Sequence, residues 1–387
     1  MNKTYITLFI GAILLFSCNE SDDPSVSANV EKKQAIENYA DIVLASYEDS
    51  YNTALTLQQS IDEFLAAPSE QLFENAKTAW KNARIPYGQT EAYRFYGGPI
   101  DNDLTGVEGL INAWPMDEVY IDYVVDNDNA GIINDATNYP TISKELLEEL
   151  NEAGGKSETS ISTGYHAIEF LLWGQDFSAN GPGERPYTDY VIGANGTATN
   201  QERRGQYLKT VTALLLDNLA TVRDEWEENG TYRQSFVNNA NPNEIITKIF
   251  TGLGELSKGE LSGERMFVAV DTQDQENEHS CFSDNTDVDI KMNFKGIYNV
   301  YYGIYKRVDG TEVSGKSFRE LAQSLDNVKA SAAEAAFADA EAKINLIPTP
   351  FDQAILNSPA IILDAVKSLS TLSDKLSDVA LELTTDK

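Results

Sequence analysis

The chain is poor in the residues that usually carry chemistry. It has two cysteines, Cys18 and Cys281, and two histidines, His166 and His279. Any histidine-based catalysis or metal binding must run through one or both of those imidazoles. Beyond Cys18 a single cysteine remains, so no internal disulfide is available and stability must come from packing. Cys281 itself reads as a small buried hydrophobe. Bases are scarce, with 29 Lys and Arg against 61 Asp and Glu, a net charge of −32. Nucleic acid is excluded as a partner, because phosphate recognition needs a basic face. An acidic surface instead favours solubility and draws cations. No apolar run reaches the roughly 20 residues of a membrane-spanning helix. The sequence contains no Walker loop, no dinucleotide fingerprint, no Cys-x-x-Cys and no His-Glu-x-x-His. Strand-like alternation is confined to short stretches such as Val119–Val125.

What is present begins with a secretory signal. One positive charge near the start, the apolar run from Ile6 to Phe16, and the small Ser17 have the layout of a segment that is cut off. Leu15-Phe16-Ser17-Cys18 resembles a bacterial lipobox, in which Cys18 is acylated and becomes the new N-terminus. On this reading residues 1–17 are a lipoprotein signal peptide. Residues 18–34 are a flexible tether, polar and acidic at its start. The protein is then held by lipid to the outer membrane of a cell envelope, on its periplasmic or its surface face.

The rest is helical in pattern. Ala35–Phe64, Gln71–Phe95, Ser143–Glu152, Tyr165–Trp173, Gln201–Glu227, Asn243–Leu256, Phe318–Ile344 and Ser358–Leu383 repeat apolar residues at three- and four-residue spacings or are rich in helix formers. Pro86 predicts a kink or break near Ile85. The expected fold is all-α, with two related helical bundles side by side, residues 35–200 and 201–387, and a cleft between them.

Three groups of residues have chemical potential. His166 and Glu169 are spaced i, i+3, so one helix face carries both, within an apolar run in which a buried carboxylate needs a partner or a cation. With Thr163 as cap, His166 lies in the first turn, where the helix dipole favours neutral imidazole, the metal-binding form. A His–Glu hydrogen bond inside a helix interface is the structural alternative. The second group is a stripe through Trp80, Arg84, Tyr87, Glu91 and Arg94. Glu91, and Asp101 beyond the Gly97-Gly98-Pro99 turn, are candidate oxygen ligands, and histidine plus carboxylates suits zinc, iron(II) or manganese. The third runs from Glu264 and Arg265 through the acidic segment 271–289, in which His279 is a further contact. That segment lacks the spacing of an EF-hand.

Gly164-Tyr165-His166-Ala167-Ile168-Glu169, with its flanks Thr163 and Phe170-Leu171-Leu172-Trp173-Gly174, resembles the Gly-x-His-x-x-Glu hallmark of the imelysin family. Ala83-Arg84-Ile85-Pro86-Tyr87 through Gly97-Gly98-Pro99-Ile100-Asp101, and Gly263-Glu264-Arg265-Met266 through His279-Ser280-Cys281-Phe282-Ser283-Asp284, resemble its other segments. The resemblance implies two helical bundles with a site in the crevice between them, a cell-envelope setting, and a link to iron or haem uptake through a transporter. It implies a divalent metal, iron or zinc, at His166, Glu169, Glu91 and Asp101. Arg84, Tyr87, Glu264, Arg265 and His279 are then supporting or ligand contacts. The family also carries a peptidase name, so a metallopeptidase is the competing reading. The missing His-Glu-x-x-His arrangement weighs against it.

Overall fold

The computed structural model of the chain describes residues 24–152, 157–178 and 181–385. The signal peptide, Cys18 and the first part of the tether lie outside the described residues. The principal helices are α1 (Pro24–Ala66), α2 (Glu70–Thr90), α3 (Gly164–Trp173), α4 (Gln201–Trp226), α5 (Pro242–Glu255), α6 (Thr286–Tyr302), α7 (Phe318–Leu325), α8 (Asn327–Ile344) and α9 (Pro359–Thr384). Strand structure among the described residues is one short hairpin, Ile304–Lys306 against Glu312–Ser314, entered where Gly303 ends α6 in the left-handed conformation. The fold is all-α, as expected.

Helix starts follow local chemistry. Ser69 caps α2 by accepting the Leu72 N–H, and Ser317 forms a reciprocal capping box with Glu320 at α7. Three expectations are corrected. Pro86 does not break its helix: α2 runs on to Thr90 with Pro86 buried inside it, because the packing of Trp80, Ala83 and Tyr87 offsets the one lost backbone bond. The described part of the predicted tether is not loose chain. Residues 24–34 are already helical in α1, fastened where the Lys32 ammonium donates to Asn243 Oδ1 at 2.7 Å. The Phe318–Ile344 stretch is two helices, because the Asp326 carboxylate caps a new start by accepting the N–H groups of Val328 and Lys329.

α1, α2, α3 and α4 pack together, α5 and α8 both pack on α9, and α6 joins the two groups, lying chiefly on α2 with lesser contact to α7 and α8. The predicted boundary at residue 200 therefore moves. α4 buries Tyr207, Leu208, Val211, Leu215, Leu219 and Val222 in the first bundle, and its Tyr207 hydroxyl donates to Ser162 O at 2.8 Å. The chain crosses to the second bundle after Trp226. The two groups meet where α6 lies on α2, and there the backbones approach closely. A Cβ on Gly296 would stand 2.3 Å from Gln89 O, and one on Gly88 would stand 2.8 Å from Met292 Cβ. Glycine at both positions lets Asn293 Nδ2 reach Gly88 O at 2.9 Å.

Candidate metal centre at the bundle junction

Four segments converge beside this crossing. α3 brings His166 and Glu169. α2 and the turn after it bring Arg84, Tyr87 and Glu91. The chain between Met266 and α6 brings His279 and Ser283, and α6 itself brings Asp289. The wide π-helical turn Leu256–Phe267 brings Arg265. Gly164 sets the depth of α3. Its φ is +80°, and a Cβ there would meet Ile111 O at 2.4 Å. Every residue of α3 is buried, including His166 and Glu169.

The two imidazoles are the centre of the arrangement. Their ring centroids are 4.7 Å apart, nearly perpendicular, with Trp114 4.9 Å from His166. Each is backed by a carboxylate at Nδ1. His166 Nδ1 lies 2.9 Å from Glu169 Oε2, and His279 Nδ1 lies 2.9 Å from Asp289 Oδ2. Burial would raise the Asp289 pKa, but the charge of Arg84 and the contact with His279 overcome it and hold the group well below the usual carboxylate range. Asp289 is thus ionised, so the hydrogen of His279 sits on Nδ1 and its Nε2 carries the lone pair. The 3.4 Å approach of Arg84 Nη2 to the same Nδ1 is then a neighbour contact and not a hydrogen bond. His279 Nε2 is left with a single 3.4 Å contact, to Asn112. His166 Nε2, fully buried, has no hydrogen-bond partner among the described residues. Burial keeps both rings neutral: it and the neighbouring His279 and Arg84 push His166 well below 6.5, and burial with Arg265 takes His279 down to about 4.

Around the rings lies a charge lattice. Arg84 clamps Asp289 with bonds of 3.2 and 3.0 Å while lying among the Trp80, Tyr87 and Tyr165 rings. Glu91 accepts from Arg94 at 2.6 Å and from Arg265 at 2.7 Å. Burial opposes ionisation of Glu91, but these two guanidiniums lower its pKa to about 2. Arg265 also reaches Glu260, five residues back, at 2.9 Å, and the wide turn places the pair one above the other. Glu169 is the exception. Burial pushes its pKa up to about 8, although the Ser283 N–H and hydroxyl donate to its Oε1 at 3.0 and 2.7 Å.

The structure sorts the candidates. His166, Glu169, Arg84, Tyr87, Glu91, Arg265 and His279 share this region. Asp101 is committed elsewhere: its carboxylate accepts the N–H groups of Phe95 and Gly98 and shapes the turn. Glu264 is exposed on the cleft wall. The four predicted ligands do not form a ligand set, and among the described residues no three His, Cys, Asp or Glu side chains already converge as one. Glu91 is occupied by two arginines, and Glu169 stands behind His166. Asn112, Ser283 and Asp289 were not anticipated. Nothing in the sequence distinguishes Asn112. Asp289 and Ser283 belong to an acidic stretch in which His279 was the only informative signal.

A cleft of about 520 Å³ opens onto His279 and Arg265. Of its lining, only Ala113, Trp114, Pro115 and Val268 are apolar. Glu108, Glu152, Glu158, Glu260 and Glu264 supply five carboxylates, against the guanidiniums of Arg94 and Arg265. Unpaired buried polar atoms collect on the same cluster: His166 Nε2, Tyr87 OH, Tyr165 OH, Arg94 Nε and Arg265 Nε. Such atoms are rare in folded proteins and call for a partner.

Fold and site together define an all-helical protein of two bundles with a polar, histidine-bearing cleft at their junction. The imelysin (peptidase M75) family model matches residues 43–376, and the chain belongs to the imelysin family. It is 26% identical over 354 residues to iron-regulated protein A of Synechococcus elongatus, covering 90% of this chain and 86% of that one. In structure it is similar to an iron-regulated protein A precursor from Parabacteroides distasonis, with a TM-score of 0.72 at 18% identity, covering 92% of this chain and 96% of the other. It is also similar to an imelysin-like protein from Psychrobacter arcticum, with a TM-score of 0.62 at 12% identity and the same coverages.

Proposed function

We propose that the protein is a lipid-anchored cell-envelope protein that captures a divalent metal ion, iron foremost, at His166 and His279 and passes it to a membrane transporter. The observation that carries this reading is the pair of buried neutral imidazoles, each hydrogen-bonded at Nδ1 to a carboxyl group: Asp289, ionised, behind His279, and Glu169 behind His166, whose proton a metal at Nε2 would displace. A carboxylate behind each histidine fixes the ring and strengthens it as a donor. Two protein ligands leave most positions of an iron ion to water or to small oxygen donors, which suits cargo that must be released. The acid-lined cleft favours a cation on its way in. A metal bound there would supply a positive charge; His166 and His279 would hold it, Glu169 and Asp289 would orient the rings, and Trp114, packed on His166 and Phe282, would keep the His166 ring in place. The iron-related names of the relatives agree with this reading. Haem fits poorly, because a porphyrin needs predominantly apolar walls.

A metallopeptidase is the second reading, favoured by the family name. It requires a base beside the metal, and Glu108, on the cleft wall with its pKa raised by burial, is the available group. Calorimetric titration with Fe(II) or Zn(II) tests the first reading. His166→Ala and His279→Ala are each expected to weaken binding at least about 100-fold. Undiminished affinity in both variants would remove the assignment. Metal-dependent cleavage of a denatured protein, lost in His166→Ala, would shift the reading to the peptidase.

A further inference from the structure

The cleft wall beside His279 carries nitrogen donors that the folded chain does not use. Arg94, Arg265 and Asn112 all line it. The Nη groups of the two arginines are spent. Arg94 holds Glu91 at 2.6 Å and Glu108 at 3.1 Å, while Arg265 holds Glu91 at 2.7 Å, Glu260 at 2.9 Å, and Asn293. Both Nε–H groups are buried and have no acceptor among the described residues. Arg265 as a whole is only 4% exposed. The Asn112 amide nitrogen is also poorly used, with two long contacts of 3.4 Å, to Glu91 Oε1 and to His279 Nε2. Arg84 Nη1 donates to Asn112 Oδ1, which fixes the nitrogen on the His279 side. These contacts run end to end. His279 touches Asn112, Asn112 touches Glu91, and Glu91 touches both guanidiniums, so three donors and an imidazole stand within the span of one small molecule.

Buried N–H groups call for an acceptor, and a cation cannot be one. A carboxylate can, and its hydrogen bonds to guanidinium are among the strong ones. A free anion is badly placed here. Glu108 and Glu260 already balance the guanidiniums, and Glu152, Glu158 and Glu264 stand on the cleft wall, partly or fully exposed. An anion that arrives with a divalent ion escapes this repulsion, because the pair carries positive charge of its own. We propose that the cleft takes its metal together with a small chelating carboxylate anion, whose oxygens accept from Arg94 Nε, Arg265 Nε and Asn112 Nδ2 and fill positions that His166 and His279 leave open. The inference rests on the metal reading above and names what accompanies the ion. A volume of about 520 Å³ accommodates such a chelate. It also separates the parts of the site: the acidic wall draws the metal, and the unused donors on the floor recognise its companion. Carbonate and hydroxycarboxylates share this chemistry, and the experiment distinguishes them.

The test uses the full chain freed of metal and dialysed to equilibrium against radiolabelled citrate in carbonate-free buffer, or against radiolabelled bicarbonate alone. Each arm is run with and without Zn(II). One anion per chain is expected to be retained with zinc, and none without it. Retention in the citrate arm assigns the site to a hydroxycarboxylate, and retention in the bicarbonate arm to carbonate. Arg94→Lys keeps the charge beside Glu91 and removes the Nε–H. It is expected to lower retention about tenfold while calorimetry in the absence of both anions shows its zinc affinity unchanged. Asn112→Ala, which spares both guanidiniums, is expected to lower retention as well, and it decides the matter if Arg94→Lys does not fold. Zinc bound through His166 with neither anion retained would overturn this proposal alone. Zinc unbound in every arm would overturn the metal reading with it. Retention without zinc, or undiminished retention in the folded variants, would show that these donors do not hold a metal-borne anion.

Discussion

Asp289→Asn is the sharpest probe of the junction, because one carboxylate there serves four side chains. Its Oδ1 accepts from Arg84 Nε at 3.2 Å and Asn285 Nδ2 at 3.4 Å. Its Oδ2 accepts from Arg84 Nη2 at 3.0 Å, His279 Nδ1 at 2.9 Å and Ser280 Oγ at 2.5 Å. Asparagine keeps the volume and removes the charge. Whichever way the amide turns, its NH₂ faces at least two donors, and Arg84, 1% exposed, is left without a counter-charge. Breaking a buried pair on one side typically costs about 3–5 kcal/mol. The pH dependence has a definite sign. The folded pKa of Asp289 lies below the ordinary unfolded value of about 3.9. Its contribution is therefore fully present above that value and is lost as pH falls towards the folded pKa. Urea unfolding followed by tryptophan fluorescence should show the full deficit of the variant near pH 7 and a smaller one below about pH 3.5. A deficit under about 1 kcal/mol at neutral pH, or one that does not shrink in acid, would refute the role given to this carboxylate.

Other consequences are equally open to measurement. Glu169 titrates near 8 in the folded chain against about 4.3 when unfolded, so the folded state holds an extra proton between those values and loses stability as pH rises through them. Glu169→Gln should flatten that slope in melting curves from pH 5 to 8.5, and an unchanged slope would contradict the assignment. For the same reason metal binding should expel about one proton at neutral pH. Titrations in buffers of different ionisation enthalpy would expose its absence. Gly164→Ala should cost at least about 2 kcal/mol and weaken metal binding, since a side chain is strained at φ +80° and its Cβ meets Ile111 O. A normal melting temperature would show that α3 can shift. Asp326→Ala should cost about 1 kcal/mol through the lost cap of α8, read by chemical denaturation.

Much of the fold was legible because helices announce themselves locally. Apolar spacing located α1, α4, α5 and α9, whereas Thr163, the expected cap of α3, makes no capping bond and donates its hydroxyl to Asn151. What could not be read were decisions made by tertiary contact. Pro86 argues for a break, and only the burial around it says otherwise. α4 looks like the opening of a second half, because amphipathicity records that a face is buried and not against what. The site divides in the same way. His166 and Glu169 were visible as an i, i+3 pair, and the scarcity of histidine pointed to His279. Their grouping was not visible, because it depends on α6 crossing α2 and on the loop that brings Ser283 to Glu169. Asp101 and Glu91 carried the right chemistry for ligands. The backbone of a turn and two guanidiniums had already claimed them, and a sequence does not show such commitments.

The position of the site follows from the same crossing. Each imidazole and its carboxylate lie on one side of the junction: His166 and Glu169 within α3 of the first bundle, His279 and Asp289 at the entry to α6 of the second. Neither pair depends on the other for its internal bond. Contacts across the junction include Arg84, which reaches from α2 to Asp289, Ser283, which reaches from the second side to Glu169, and Arg265, which reaches Glu91. An ion held by both Nε2 atoms would add a further link. Its affinity would then be expected to depend on how α6 sits on α2, since a Cβ at Gly88 or Gly296 would push the two helices apart while the rings they help to place are 4.7 Å apart. Gly296→Ala, distant from both rings in sequence, should accordingly weaken metal binding more than it lowers helicity. Equal affinity in a folded Gly296→Ala chain would show that the rings are placed by their own loops and not by the bundle crossing.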